Sequence, residues 1–356
     1  MQDKNSPLPE EIKRLFDSPD LYVRDMNWQT GEALCLRMSR ETYSASSFLD
    51  QRTVALDGQN LALPVADLMR AYRQQQPAPR PLRFIAHTAL CGSTLLCRCL
   101  DLPGLCLPYK EPYLLHNLSG IWQLGLQEKL QSSLTDAEPA IMDLALALTN
   151  RSYDQAEKPV IKLTDSCTSL LPTLLGAYRD SRMLLLYSDL ESFLVAMLRS
   201  PERRAYARNM LVRARLDLAA VGMGRIVKDE DPGDSRCIAM IWLSLMYPFL
   251  RLLVSVPDRV RSLRSDVFFS TPLETVASID RFFDLGIGES RLRSHMDTGV
   301  LLRDSKNATD PFDSQQRDVE RKAAASQFRG DIDDALNWVA ATTADAPVPD
   351  ELPNAL

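Results

Sequence analysis

One segment limits what this chain can fold into more than any other. It reads Phe84-Ile85-Ala86-His87-Thr88-Ala89-Leu90-Cys91-Gly92-Ser93-Thr94-Leu95-Leu96. The short apolar run 82–86 stops at a turn that contains Gly92 and two hydroxyl residues. Helical apolar periodicity follows over 94–102. A strand that passes through so short a turn into a helix must pack that helix back onto its own sheet. Consecutive N–H groups at such a turn converge on one cavity, and the helix N-terminus adds about half a positive charge there. The Ser93 and Thr94 hydroxyls can donate to phosphate oxygens. The same pattern also fits an ordinary capped helix after a strand. Spacing puts His87 where a nucleoside-triphosphatase loop has its first Gly, and Ser93 where it has its Lys. Such enzymes place that Lys on the β- and γ-phosphates, so its absence counts against ATP.

Further short apolar runs lie at 105–107, 159–163 and 183–187, with helical patterns near 119–131 and 138–149 and after the last two runs. Strands alternating with helices predict a parallel sheet flanked by helices. Ser188-Asp189-Leu190-Glu191 reads as a capping box ahead of 193–198, and Thr271-Pro272-Leu273-Glu274 as a second one. Residues 209–223 and 236–254 read as helices, and 267–269 as the last strand. Upstream, residues 1–20 are polar. Short apolar stretches around Gln29-Thr30-Gly31-Glu32 suit a hairpin, and 73–81 is a Gln/Pro linker. The division expected is an appendage over 1–75, an α/β domain over 76–341 and a disordered tail over 342–356.

With 45% hydrophobic and 25% charged residues among 356, the chain can bury a sizeable core. A net charge of −6 argues against a dedicated nucleic-acid binder. The apolar run 238–253 is broken by Ser244, Pro248 and Arg251 and is short for a membrane span. No apolar segment opens the chain, which argues against a secretory signal. The seven cysteines are an odd number, and four of them (Cys91, Cys97, Cys99, Cys106) crowd one segment, as suits reduced thiols in a cytoplasm. Their spacing fits no zinc pattern, so no metal is expected. Arg199, Arg203, Arg204, Arg208, Arg213 and Arg215 form a cluster. Ser200-Pro201 starts a new helix within it, and most of the cluster reads as a solvated face. Arg199, which follows the helix after the fourth strand, is the exception.

Cys91-Gly92-Ser93-Thr94-Leu95-Leu96 resembles the Ser-Gly-Thr-Thr-Leu-Leu loop of sulfotransferases. The wider stretch 87–100, with Lys110-Glu111-Pro112 after the second strand, resembles a group of bacterial sulfotransferase-like proteins. The units at 160–165 and 184–198 follow at similar spacings. Val267-Phe268-Phe269, Thr271-Pro272, Ile279 and Phe282-Phe283 resemble the family's late strand and next helix. The resemblance spans about 82–340. It implies a P-loop NTPase-like α/β sheet, and 3′-phosphoadenosine 5′-phosphosulfate as the donor to a small-molecule or glycan hydroxyl or amine. It places Gly92, Ser93 and Thr94 at the donor's 5′-phosphate; His87 and Cys91 lie at the loop itself, Ser188 ends the fourth strand, and Arg199 offers a substitute clamp for the 3′-phosphate. It makes Glu111 the catalytic base, with Lys162 or Lys110 on the bridging oxygen. Lys162 matches the Lys of a Lys-Thr-His motif, but Thr164 stands where its His would be. His87, His116 and His295 are the only other possible histidine bases, and Glu111 is the better choice. The family's 3′-phosphate Arg and Ser are replaced by Ser188 and Ala196, and Ala89 and Leu90 stand where the loop often has a cation.

Two other readings share this fold. A magnesium-dependent kinase or hydrolase would place the metal on Asp165 or Asp189, although Asp189 also suits a cap and Asp165 a turn. A non-catalytic phosphate-binding protein would keep the loop alone. The acceptor and the oligomeric state are not encoded in any motif.

Overall fold

The computed structural model describes residues 8–126, 128, 140–228, 232–303 and 314–356. The chain begins with an antiparallel meander of β1 (Leu21–Asn27), β2 (Glu32–Arg37) and β3 (Asn60–Pro64). The turn at Gly31 (φ 72°) joins β1 and β2 as the expected hairpin. α1 (Arg40–Ala45) lies between β2 and β3, and α2 (Val65–Gln75) follows β3.

The main sheet takes β4 (Arg83–His87), then α3 (Ser93–Leu100), β5 (Cys106–Lys110), α4 (Tyr113–Gln123) and α5 (Ile141–Thr149). β6 (Lys158–Lys162) leads through a 3₁₀ turn at Asp165–Leu170 into α6 (Leu171–Ala177). β7 (Arg182–Tyr187), α7 (Leu190–Leu198), α8 (Pro201–Ala220), α9 (Gly233–Ser255) and β8 (Val260–Arg264) complete it. The strand order is β5-β6-β4-β7-β8, all parallel. β4 and β5 are buried along their whole length, and β6 and β7 at all but their first residue, as expected for strands covered on both faces. The α/β class with a small β-containing N-terminal unit is therefore present.

Helix starts agree with the sequence in part. Ser200 caps α8, accepting from the Arg203 amide, with Pro201 in the first turn. The first capping box is shifted by one residue: Asp189, not Ser188, accepts from the Ser192 amide. Thr271 makes no side-chain cap at α11 (Pro272–Phe283), because its hydroxyl donates back to the Val267 carbonyl.

Two expectations are corrected. Residues 267–269 are not a strand but part of α10 (Ser265–Ser270), and the last strand is β8. The sequence of β8, Val-Arg-Ser-Leu-Arg, carries only two apolar residues and gives a weak strand signal. The C-terminal segment is not loose. It follows α12 (Glu289–Met296), α13 (Ser314–Gln327) and α14 (Arg329–Thr342) and lies along β8. The Ser262 amide donates to the Asn354 carbonyl at 3.0 Å, and the Leu356 amide to the Ser262 carbonyl at 2.9 Å. Leu352 is buried, with its amide on the Tyr187 hydroxyl. The proline-rich composition hid this, but two apolar anchors and a sheet edge to cover are enough.

The N-terminal unit and the α/β domain share one core, in which Tyr43 meets Tyr109 edge-on at 5.3 Å. Buried Arg151 donates to the carbonyls of Leu15, Ser18 and Leu21. α9 is long and apolar enough to cross a membrane by length and composition, yet 78% of its most apolar window is buried in the protein.

Candidate active site

In this strand order β4 sits at the point where the crossovers change direction, and ligands of open α/β sheets bind outside the strand ends at such a point. The chain leaves β4 there. The Thr88 amide donates to the Leu186 carbonyl at 3.0 Å, and the Thr88 hydroxyl accepts from the Ser188 amide at 3.0 Å. Leu90 (φ 65°) and Gly92 (φ 89°) take left-handed conformations, and α3 begins at Ser93. No side chain caps this helix. Its first-turn amides have no intrahelical acceptor either, and amides left so can meet an anion. Only glycine fits at position 92, since a Cβ would lie 2.7 Å from the Phe269 ring.

Three charged side chains converge on this terminus. Fully buried Lys162, the last residue of β6, donates to the Thr94 hydroxyl at 2.9 Å and pairs with Glu111 Oε1 at 2.7 Å. His87 Nε2 lies 3.5 Å from the same oxygen. That nitrogen is buried and has no hydrogen-bond partner among the described residues, while Nδ1 faces the Thr88 carbonyl at 3.3 Å. Burial disfavours the imidazolium, but the adjoining Cys91 thiol and Glu111 carboxylate outweigh it and push His87 up to about 9. Burial also opposes the Glu111 carboxylate, yet Lys162 and His87 pull it down to about 2. The raised pKa that would suit a general base near neutrality is therefore absent here. Glu111 itself has φ 58°, an uncommon conformation for this residue type. Its amide donates to the Lys162 carbonyl at 2.8 Å.

The predicted residues are only partly assembled. His87, Gly92, Ser93, Thr94, Glu111 and Lys162 come together. Cys91 is in the loop, but its buried thiol turns to the Leu186 carbonyl. Ser188 is near the neighbouring strand end, its hydroxyl 3.1 Å from that of Ser265. Lys110 is not in the cluster. It is fully buried and reaches away, to the Ser44 carbonyl at 3.0 Å and Asp101 at 3.6 Å. Arg199 is not there either. It follows the far end of α7, about 14 Å along the helix from its loop-side start, and pairs with Glu320 at 3.5 Å. In the arginine cluster, Arg204 and Arg208 share a face of α8, both on Asp234.

Other neighbours had no sequence signal. Phe48, from the N-terminal unit, stacks between Arg52 at 4.3 Å and Lys162 at 5.0 Å. The Leu49 amide donates to the Lys110 carbonyl at 2.6 Å, and the Tyr113 amide to the Leu49 carbonyl at 3.0 Å, so this loop brackets Glu111. A small cavity adjoins, lined by Asp165, Ser166, Tyr206, Arg213, Asp217 and Leu245 among others. The Tyr206 hydroxyl donates to the Asp165 carboxylate at 3.2 Å. Burial raises the Asp165 pKa, and it lifts Asp217 to about 6. His116 Nδ1 lies 2.8 Å from the Ser166 hydroxyl, and burial, helped by Arg213, keeps the ring on the neutral side. His295 is elsewhere, on the Arg98 carbonyl.

No family model matches this chain, and no curated protein matches it. Among solved structures, it is similar to a sulfotransferase from Alicyclobacillus acidocaldarius, at 16% identity and a TM-score of 0.36, over 63% of this chain and 92% of that one. It is also similar to the sulfotransferase domain from the curacin biosynthetic pathway, at 15% identity and a TM-score of 0.34, over 71% and 99% of the two chains.

Proposed function

We propose that this protein is a sulfotransferase-like enzyme that moves a sulfuryl group from 3′-phosphoadenosine 5′-phosphosulfate to a hydroxyl or amine acceptor. The observation that carries this reading is the uncapped start of α3 with Lys162 bonded to both Thr94 and Glu111. An anion-binding helix end, a buried cation and a carboxylate meet within one cluster, which suits transfer of an anionic group. Gly92, whose side-chain position is closed by Phe269, lets the backbone approach such a group. The donor supplies an activated sulfuryl group whose bond to the bridging phosphate oxygen breaks, with the electron pair leaving on phosphate, as the bond to the acceptor forms. Lys162 stabilises the charge on that oxygen. Glu111 takes the acceptor's proton once its contact with Lys162 is relaxed.

The residues fit the phosphosulfate end of the donor better than its 3′-phosphate. Ser188 is engaged with Ser265, Ala196 offers no donor, and Arg199 pairs with Glu320. These three observations favour a second reading, a protein that retains anion binding without transfer.

The test is thermal unfolding with adenosine 3′,5′-bisphosphate, compared with ATP plus magnesium. A ligand at about 100 times its Kd stabilises by about 2.7 kcal/mol. A shift with the bisphosphate alone supports the proposal, and an acceptor screen then separates transfer from binding. A shift only with ATP and magnesium favours a kinase instead.

A further inference from the structure

Glu111 stands in an unusual place for a base. Its Oε1 is 2.7 Å from Lys162 Nζ and 3.5 Å from His87 Nε2, beside a helix end that already favours anions. The loop itself carries no lysine or arginine between Thr88 and Thr94, and His87 and Lys162 are the cations that contact Glu111 among the described residues. His87 Nε2 is buried and its near partner is Glu111 Oε1 at 3.5 Å, a long contact that leaves room for a better-placed anion. Lys162 spends one donor on Thr94, a hydroxyl otherwise placed to meet phosphate. Both cations, the helix end and the Thr94 hydroxyl are thus directed at one small region, and the carboxylate of Glu111 is the anion in it.

We infer that His87 and Lys162 form a two-cation clamp for the anionic end of the donor, and that Glu111 occupies this clamp until the donor's phosphosulfate replaces it. This rests on the proposed function for the identity of the donor, but the exchange is a property of the cluster. It gives donor binding a second effect. When Lys162 turns to the incoming anion, Glu111 loses its strongest partner and becomes available to accept a proton. A proton acceptor masked in the empty site is thus exposed only when the donor is seated.

The exchange has a sign that a simple base does not. Because Glu111 also supports the His87 imidazolium, the comparison belongs below pH 6.5, where removing the charge of Glu111 strengthens anion binding and removing His87 weakens it. Calorimetric titration of the full chain with inorganic pyrophosphate and with adenosine 3′,5′-bisphosphate tests this in the wild type, Glu111→Gln and His87→Asn. We expect Glu111→Gln to tighten both anions about fivefold or more, and His87→Asn to weaken them by a similar factor. Glu111→Gln is nearly isosteric and decides the matter if His87→Asn fails to fold. Unchanged or weaker binding in Glu111→Gln overturns the clamp, as does failure of both anions to bind any form. If pyrophosphate follows the expected signs and the bisphosphate binds no better than pyrophosphate, the clamp stands and the sulfotransferase reading fails.

Discussion

Lys110 and Lys162 stand opposite one another in register at the ends of β5 and β6, yet their ammonium groups serve different partners. Lys162 goes to Thr94 and Glu111 at the loop, whereas Lys110 goes to Asp101 and the Ser44 carbonyl. Replacing each with Met should therefore separate two roles. Lys162→Met should cost about tenfold or more in pyrophosphate affinity, the range of one hydrogen bond to a charged group. Lys110→Met should stay within about twofold. Equal losses in calorimetry would mean that Lys110 also reaches the anion.

Gly92 is held by two constraints that one substitution tests together. Its φ of 89° disfavours any side chain, and an added Cβ meets the Phe269 ring at 2.7 Å. Gly92→Ala should lower stability by about 2 kcal/mol or more in urea denaturation. Adding Phe269→Ala should restore the steric part only. Full recovery in the double variant would show that backbone strain contributes nothing.

Asp217 carries a pH signature. Burial lifts its carboxyl to about 6 from an ordinary 3.8. A carboxyl raised in the folded state favours folding in acid, and that contribution is lost as pH rises from 3.8 through about 6. Asp217→Asn keeps an acceptor for Gln123, which donates to the carboxylate at 2.8 Å. The variant should be more stable than the wild type at pH 7.5, by about 1–3 kcal/mol. Little of that gain should remain at pH 4. A gain of equal size at both pH values would exclude the carboxyl as its source.

Arg199→Ala removes a half-exposed pair with Glu320, at 33% and 52% side-chain exposure, and should cost less than about 1 kcal/mol. Its bisphosphate affinity should match the wild type. A large loss of affinity would return Arg199 to the donor site.

The loop and the strand–helix alternation were legible because each element combines a buried strand with a turn that only certain residues permit. Gly92, Thr94, Glu111 and Lys162 could be placed for that reason. Lys110 could not be separated from Glu111, because nothing in Lys-Glu-Pro shows that a neighbouring helix waits to take up the lysine. Arg199 was misplaced because it follows the C-terminal end of α7, and nine helical residues carry that end about 14 Å from the loop. The last strand was missed because Val267-Phe268-Phe269 is more apolar than β8, which completes its burial only with help from the tail. Phe48 was invisible because Lys162, the site residue it lies against, is far away in sequence.

The loop around Leu49 bridges the Lys110 carbonyl and the Tyr113 amide on either side of Glu111, and Phe48 beside it lies against Lys162. A truncated protein starting at the Gln/Pro stretch would keep the sequence of every strand of the parallel sheet and still lose one wall of the candidate site. The Lys110 carbonyl and the Tyr113 amide, on either side of Glu111, would then lose the backbone that holds them. The N-terminal unit is in that sense a mould for the site, and the place where this chain can be cut in sequence is not a place where the site can be cut from its support.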